Sequence, residues 1–176
     1  MSNITRDVRF KIAFGAARAG LLHEAAEGLS WQEFESFTEE CLKLAGFDTF
    51  KGIIVRGKGR KWQVDIVAKK GQLLLAFDCK HWASPYYRAR FRKAAQHQRD
   101  AVVSLMHDVN TRKRFHDDKL WVLPVILTLL EPRTKLEEGA VLVSLQKLPD
   151  FLNGVTQYSD DLPFLFSDDY KESPIS

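Results

Sequence analysis

The sequence predicts an α/β fold with the element order helix, three strands, helix, two strands. Two helical patterns support this prediction, because apolar residues recur at helical spacing after Ser30 and again from Phe91 onward. Short apolar runs of strand length separate the helices, and the clearest runs from Leu73 to Phe77. With 176 residues, the chain has room for one domain, or for one domain with an extra helical segment.

The composition excludes several classes of protein. The longest apolar stretch, Leu120 to Leu130, is too short to span a bilayer and contains Pro124, so we expect no membrane association. Asp7 and scattered basic residues interrupt the N-terminus, where a secretory signal needs an apolar core. The 2 cysteines form neither a metal-binding spacing nor a disulfide framework. We therefore expect a reducing, cytoplasmic location.

Two helices are predicted before the first strand. Thr5 to Glu27 has a helical pattern, and it could cover the core or form a dimer contact. Ser30 to Glu33 has the form of a capping box, so a second helix is predicted to start there and to end near Gly46. Its predicted apolar face contains Trp31, Phe34, Phe37, Cys41, Leu44 and Ala45. We predict a helical extension over residues 1–29 and a main domain over residues 30–157.

Glu35 is the candidate site residue of this second helix. A helical wheel places it beside the apolar face, near Trp31 and Leu42. Glu33 has a role in the capping box, but the wheel alone does not separate the two glutamates. An exposed surface glutamate is the alternative interpretation of Glu35.

A first strand is predicted from Phe47 to Val55. The next residues, Arg56 to Lys61, combine cations with two glycines and are predicted to form a flexible basic loop. Glycine allows close approach of a backbone to phosphates, and the cations attract them. An ordinary hairpin turn is the alternative.

The second and third strands contain the most informative residues of the chain. Asp65 lies in the second strand, and Asp78 and Lys80 end the third, where side chains two apart share a face. A two-residue loop at Gly71 and Gln72 predicts a hairpin in which paired residue numbers sum to 143. Asp65 then lies opposite Asp78, at roughly 4.5–5.5 Å between Cβ atoms. Two carboxylates so close repel each other, and a divalent cation such as Mg²⁺ relieves the repulsion.

The helix after this hairpin is predicted to start at Ser84 and Pro85, an N-cap residue followed by a first-turn proline. Gln98 lies on its apolar stripe, where a buried amide needs partners. A role near the site and a core amide bonded to backbone are both open for it. The cations Arg88, Arg90, Arg92 and Lys93 are interleaved with Tyr86, Tyr87 and Phe91, which predicts a nucleic-acid surface. Packing of the aromatics against the first turns of the helix is the alternative.

The C-terminal third is predicted to contain two strands and a short helix. Trp121 to Leu129 has the pattern of a buried strand, in which Pro124 indicates an edge or a bulge. Ala140 to Leu145 is the second strand, and a short helix starts at Leu148. Residues 158–176 are acidic, with Pro and Ser, and are predicted to form a loosely held tail.

Charge is distributed unevenly along the sequence. Residues 51–99 contain 13 of the 26 Lys and Arg residues but only 2 of the 23 acids, a balance of +11. The remainder of the chain has a balance of −8. The two acids in the basic segment are Asp65 and Asp78. A carboxylate pair in a cationic segment favours a metal-dependent enzyme acting on a polyanion, and a solvated basic surface is the alternative.

The sequence from Phe77 to Trp82, preceded by Asp65, resembles the PD-(D/E)xK nuclease superfamily, in which an Asp is followed by (Asp/Glu)-x-Lys on the next strand. It is similar to the restriction-endonuclease-like branch, which includes Mrr-type restriction enzymes and archaeal Holliday-junction resolvases. The triplet alone is a weak signal, because it also occurs at residues 117–119 and 169–171. The strand context distinguishes Asp78.

The resemblance implies a central mixed sheet flanked by helices (α-β-β-β-α-β-β), with the N-terminal helix as an addition. It implies an endodeoxyribonuclease that uses Mg²⁺, or Mn²⁺ as a substitute. Asp65 and Asp78 would bind the metal, and Glu35 would complete the site. Lys80 would act on the water and the phosphate. Gln98 would orient the water or the phosphate.

DNA is the expected partner, bound by the cations Arg56, Lys58, Arg60, Lys61, Arg88, Arg90, Arg92 and Lys93. A homodimer is expected, because a two-fold pair can cut two antiparallel strands. A DNA-binding module without turnover and an RNA-processing nuclease are the alternatives.

Overall fold

A computed structural model describes residues 19–82, 88–115 and 119–170. The helices are α1 (Leu22–Glu27), α2 (Trp31–Leu44), α3 (Arg88–His107), α4 (Val109–Arg114) and α5 (Leu148–Gly154). The strands are β1 (Asp48–Gly57), β2 (Arg60–Lys70), β3 (Leu73–Lys80), β4 (Trp121–Thr128), β5 (Leu136–Glu137), β6 (Ala140–Ser144) and β7 (Leu165–Phe166). None of the helices in these residues has the length and hydropathy of a bilayer span.

The described strands form one mixed sheet in the order β1-β2-β3-β4-β6-β5, with β7 paired to β4. β3, β4 and β6 run parallel, and the other pairs are antiparallel. Helices cover both faces, so the α/β restriction-endonuclease-like fold predicted from the sequence is confirmed. One face packs against α2 and α5 through residues such as Phe34, Phe77 and Leu148. The other face packs against α3 through residues such as Ala76 and Val102.

The capping box of α2 is confirmed. The Glu33 backbone N–H donates to Ser30 Oγ over 3.4 Å, and the Ser30 N–H donates to Glu33 Oε2 over 2.8 Å. The predicted apolar face of α2 is only partly right, because Trp31 is 47% exposed and Leu44 is 75% exposed. Leu42 is buried instead, so the packed face of the helix is displaced from the predicted one.

The N-terminal helix lies mostly outside the described residues. Its described part begins with a turn in which Gly20 has a φ of +83°, and α1 starts at Leu22. The predicted helix start at Ser84 and Pro85 also lies outside the described residues. The left-handed φ of Gly20 is a conformation that glycine adopts readily.

Two predictions for the C-terminal third were wrong. Pro124 lies in a central strand, where it pairs with Ala76. On its other side, β4 is paired at 121–122 with β7 and at 125–128 with β6, so Pro124 falls in the gap between the two partners. The second concerns the tail, which is not loose as far as Tyr170. β7 joins the sheet, and Ser167 Oγ accepts a hydrogen bond from the Leu120 N–H over 2.8 Å.

The β1–β2 hairpin is long and rests on α3. The predicted flexible loop from Arg56 to Lys61 was wrong, and the alternative of an ordinary hairpin turn is what the structure has. Only Lys58 and Gly59 form the turn, with φ values of +50° and +72°. Lys58 Nζ binds Asp100 Oδ1 of α3 at 2.6 Å. The tip of the hairpin is therefore held against the helix.

Gly57 should be intolerant of any side chain. A Cβ at this position would lie 2.7 Å from Ser104 Cβ of α3 and closer still to Ser104 Oγ. We expect Gly57→Ala to lower the free energy of unfolding by about 1–3 kcal/mol in urea titrations, because overpacking forces the hairpin and helix apart.

Gly28→Ala is the matched control, since its φ is −78° and no neighbouring atom lies within 4 Å of the added Cβ. Its effect should stay within about 1 kcal/mol, in the stabilising direction. Ser104→Gly should recover part of the loss in the Gly57→Ala background. Equal stability of Gly57→Ala and the wild type would contradict the close packing.

Candidate active site

The β2–β3 hairpin places the acids as its register predicts. Gly71 has a φ of +58° and Gln72 does not have a positive φ, as a type II′ turn requires. The paired residues run from Lys70 and Leu73 to Ile66 and Phe77, so the sum of 143 is confirmed.

The backbone ladder ends one residue before the two acids would pair. The next free backbone donor, the Cys79 N–H, binds Asp65 Oδ2 at 2.9 Å. The Asp65 carboxylate thus takes the place of a backbone acceptor at the point where β2 leaves β3. This hydrogen bond directs the carboxylate towards the end of β3, on the side of Asp78.

Asp78 and Lys80 project together from the end of β3. Asp78 is only 8% exposed, and its Oδ1 lies 2.9 Å from Lys80 Nζ. Phe77 and Cys79 point to the opposite face and pack in the core under α2. The ammonium therefore balances one of the two buried carboxylates, as the alternation along the strand predicted.

The two aspartates are coupled electrostatically. The pKa of Asp65 is raised to about 6, chiefly by burial, and the Asp78 carboxylate contributes to this rise by repulsion and by a hydrogen bond between the two. The bond from Cys79 and the charge of Lys80 oppose this rise. Asp65 is therefore a carboxyl group whose charged form is costly in the absence of a cation.

Glu35 of α2 faces the same region. Burial raises its pKa, and the charge of Asp65 raises it further, whereas Lys51 and Lys80 lower it. Its Oε1 is buried without a hydrogen-bond donor among the described residues. The structure therefore separates Glu35 from Glu33, which binds the backbone at the start of α2.

The donor set fits a hard cation at the aspartate pair. When both carboxylates are ionised, Asp78 Oδ2 is a buried oxygen without a donor, like Glu35 Oε1. Unpartnered carboxylate oxygens are the ligands that Mg²⁺ and Mn²⁺ prefer. In residues 19–82, 88–115 and 119–170, however, no three His, Cys, Asp or Glu side chains form a group that could hold a metal ion.

Gln98 does not join the carboxylates. It is 1% exposed, and its Nε2 donates to the Ala76 carbonyl over 2.8 Å. This contact corresponds to the alternative in which the amide serves the core. Because Ala76 lies two residues before Asp78, Gln98 fixes α3 to the strand that carries the site.

His97 is the neighbour of the site that the sequence did not reveal. The charges of Lys80 and Asp65 both act on its imidazole, and burial, Arg60 and Lys80 lower its pKa. It reaches this position because α3 crosses the β1–β2 hairpin, a contact between distant segments. His81, which directly follows Lys80 in the sequence, has its Nε2 3.1 Å from the Ala26 carbonyl.

The predicted basic surface carries less unpaired positive charge than residues 51–99 suggest, because the fold brings acids from outside this segment next to two of its cations. Lys58 is paired with Asp100, and Arg92 lies 3.3 Å from Glu137 and 3.0 Å from Glu138. These acids lie outside residues 51–99, so the sequence segment did not include them. The remaining predicted cations are exposed, and these are Arg56, Arg60, Lys61, Arg88, Arg90 and Lys93.

Comparison with known proteins is consistent with this geometry. Residues 26–114 match the Mrr_cat family model, which is described as a restriction endonuclease. An uncharacterized protein of Archaeoglobus fulgidus is 25% identical over 139 residues, which cover 78% of this chain and 100% of the relative. The crystal structure of AF1548, a protein of unknown function, is 19% identical with a TM-score of 0.40. That match covers 66% of this chain and 59% of the other.

Asp65→Asn should stabilise the protein at neutral pH. A raised pKa means that stability is fully present below the unfolded-state value of about 3.9 and is lost as pH rises to the folded-state value of about 6. Asn keeps an oxygen for the Cys79 N–H but has no charge. In EDTA, we expect the variant to gain roughly 1–3 kcal/mol over the wild type between pH 4 and pH 7.

Urea titrations at several pH values measure this difference. The matched control is Asp150→Asn, an exposed aspartate of α5. Its difference from the wild type should stay nearly constant with pH. A pH-independent difference for Asp65→Asn would contradict the electrostatic cost at this position.

Proposed function

Because this chain belongs to the Mrr_cat restriction endonuclease family, we propose that it is a metal-dependent endonuclease that hydrolyses phosphodiester bonds of DNA. The family match indicates a nuclease that acts on DNA. The observation that supports the finer proposal is the pair Asp65 and Asp78, with an unpartnered buried oxygen and Lys80 beside it. All three residues lie within the matched residues 26–114.

Asp65 and Asp78 would hold the metal, and Glu35 would complete or tune the site. When bound, Mg²⁺ or Mn²⁺ supplies Lewis-acid activation of water and stabilisation of charge on the scissile phosphate. The carboxylates contribute fixed negative charge in a region where water is largely excluded. Asp65 is further restrained by the Cys79 N–H, which leaves its second oxygen, Oδ1, for a ligand.

Lys80 has a separate role in this proposal. Its ammonium is held by Asp78 at 2.9 Å and is itself partly exposed, so it can reach a bound phosphate. There it can donate hydrogen bonds to phosphoryl oxygens whose charge grows in the transition state, or position the attacking water. Gln98 would act indirectly, as a positioning residue that fixes α3 to β3 near Asp78.

The proposal includes a homodimer. Two copies related by a two-fold axis could cut the two antiparallel strands of a duplex. Sedimentation analysis with and without duplex DNA tests this part, and a monomer under both conditions would contradict it.

Asp78→Asn and Lys80→Met should abolish cleavage and leave DNA binding largely intact. The reason is that both residues act at the reacting phosphate and contribute little of the basic surface. A supercoiled-plasmid nicking assay with Mg²⁺, Mn²⁺ or EDTA measures the loss, which we expect to exceed about 100-fold for each variant.

Asp150→Asn and Lys147→Gln are the charge-matched controls at exposed positions outside the proposed site, and both should nick like the wild type. Cleavage that survives in both site variants would refute the assignment. Binding without metal-dependent cleavage by the wild type would favour a DNA-binding module, and preferential cleavage of structured RNA in competition would favour an RNA-processing nuclease.

The exposed cations should differ in their contribution to DNA binding. Arg56 and Lys61 have no carboxylate partner among the described residues, so each can neutralise a phosphate. We expect Arg56→Gln or Lys61→Gln to reduce the slope of log affinity against log salt by about 0.9. Lys58→Gln and Arg92→Gln should change it less, because carboxylates already offset these charges. Fluorescence anisotropy of a labelled duplex in EDTA measures the slopes, and equal slopes for all four variants would contradict the pairing.

A further inference from the structure

Arg60 is the exposed cation whose surroundings are most organised for an anion. It begins β2, at the tip of the hairpin that is fixed to α3. No carboxylate of the described residues pairs with it, in contrast to Lys58 and Arg92. Its side chain is nevertheless held in one position by two neighbours, the Trp62 ring and the His97 ring.

Trp62 provides the base on which Arg60 rests. The guanidinium carbon lies 4.2 Å from the centroid of the Trp62 ring, within the range of a cation–π contact. Trp62 is 5% exposed, and its Nε1–H donates to the Gly57 carbonyl over 2.8 Å, so the ring cannot turn away. Stacking leaves the edge of the guanidinium, with its N–H donors, available to an external acceptor.

His97 joins the same cluster from α3. An Arg60 terminal nitrogen lies 3.4 Å from His97 Nε2, and the His97 ring lies 5.0 Å from the Trp62 ring. Arginine can only donate hydrogen bonds, so Nε2 accepts and the proton of the neutral imidazole is on Nδ1. The contact therefore fixes the tautomer of His97 and occupies one Arg60 N–H.

The cluster lies on the strand that carries Asp65. The charges of Asp65 and Lys80 also act on His97, which contacts Arg60. Along β2, Arg60 and Asp65 are five residues apart, which is about 16 Å between their Cα atoms at ~3.3 Å per residue. One strand of a duplex presents a phosphate about every 3.4 Å of helix axis, so the cluster lies within about five phosphates of the scissile one.

We propose that Arg60 and His97 form a subsite for a non-scissile phosphate of the bound DNA strand, with Trp62 as its rigid support. This inference rests on the proposed function, because the phosphate belongs to the substrate of the nuclease. The two residues act as a unit: His97 orients the guanidinium, and the guanidinium carries the charge. The subsite fixes the position of the strand relative to Asp65 and Asp78.

A double-mutant cycle tests whether Arg60 and His97 act together in binding DNA. Binding of a labelled 20-base-pair duplex is measured in EDTA, where no metal-dependent cleavage occurs, for Arg60→Gln, His97→Asn and the double variant. We expect Arg60→Gln to reduce affinity about 5–10-fold at 0.1 M salt and the salt slope by about 0.9. The double variant should lose no more than Arg60→Gln alone, because His97 acts through Arg60.

Lys61→Gln is the comparison variant, since Lys61 is the next cation of the same strand and has no contact with His97. In the double variant of Lys61→Gln and His97→Asn, the fold loss of DNA affinity should equal the product of the two single losses. Arg60→Lys should recover only part of the affinity, because it keeps the charge and loses the planar fork. Unfolding in urea checks that none of the variants is destabilised.

The outcomes distinguish failure of the proposed subsite from failure of the proposed nuclease function. If the wild type binds and nicks DNA but Arg60→Gln binds as tightly as the wild type, the subsite is refuted and the proposed function stands. If the losses of DNA affinity in Arg60→Gln and His97→Asn multiply in the double variant, the two residues do not act together and the subsite is likewise refuted. If the wild type neither binds nor nicks any DNA tested, the proposed function fails and the subsite fails with it.

Discussion

The structure of the site depends on the hydrogen bond from the Cys79 N–H to the Asp65 carboxylate. The Gly71–Gln72 turn fixes the register of β2 and β3, and in an unbroken ladder the next acceptor would be a backbone carbonyl. Here the ladder ends and a side chain accepts instead. The same bond satisfies a buried backbone donor and brings Asp65 to the side of Asp78. Fold and site therefore share one interaction, and a one-residue slip would disrupt both.

This arrangement brings together more negative charge than the protein itself balances. Glu35, Asp65 and Asp78 are partly or fully buried near one another, and Lys80 is the cation directly bonded to the group. With all three acids ionised, the formal charge of these four groups is −2. Burial and mutual repulsion raise the pKa values of Glu35 and Asp65, which is the expected response of carboxyl groups that lack a counter-ion. A divalent cation carries the positive charge that would balance this excess of negative charge.

The sequence predicted those features that depend on local pattern. The register follows from a two-residue turn, the capping box from four residues, and the Asp78–Lys80 pair from the alternation of a strand. Features set by contacts between distant segments were not predictable. No local pattern indicates that His97 contacts Arg60, because this contact requires α3 to cross the β1–β2 hairpin. An edge or a bulge was predicted for Pro124 because the gap between β7 and β6 depends on β7, a two-residue strand that is too short to predict.

Charge along the sequence differs from charge in space for the same reason. The basic segment contains only Asp65 and Asp78 as acids, which predicted a broadly cationic face. The fold brings Asp100 to Lys58, and the β5–β6 turn to Arg92, so two cations within the basic segment are neutralised. The first pair fixes the β1–β2 hairpin to α3, and the second fixes the β5–β6 turn to α3. Both pairs therefore have a structural role. The attraction for a polyanion is thus concentrated on fewer cations, and one of them, Arg60, contacts His97 and lies on the strand that carries Asp65.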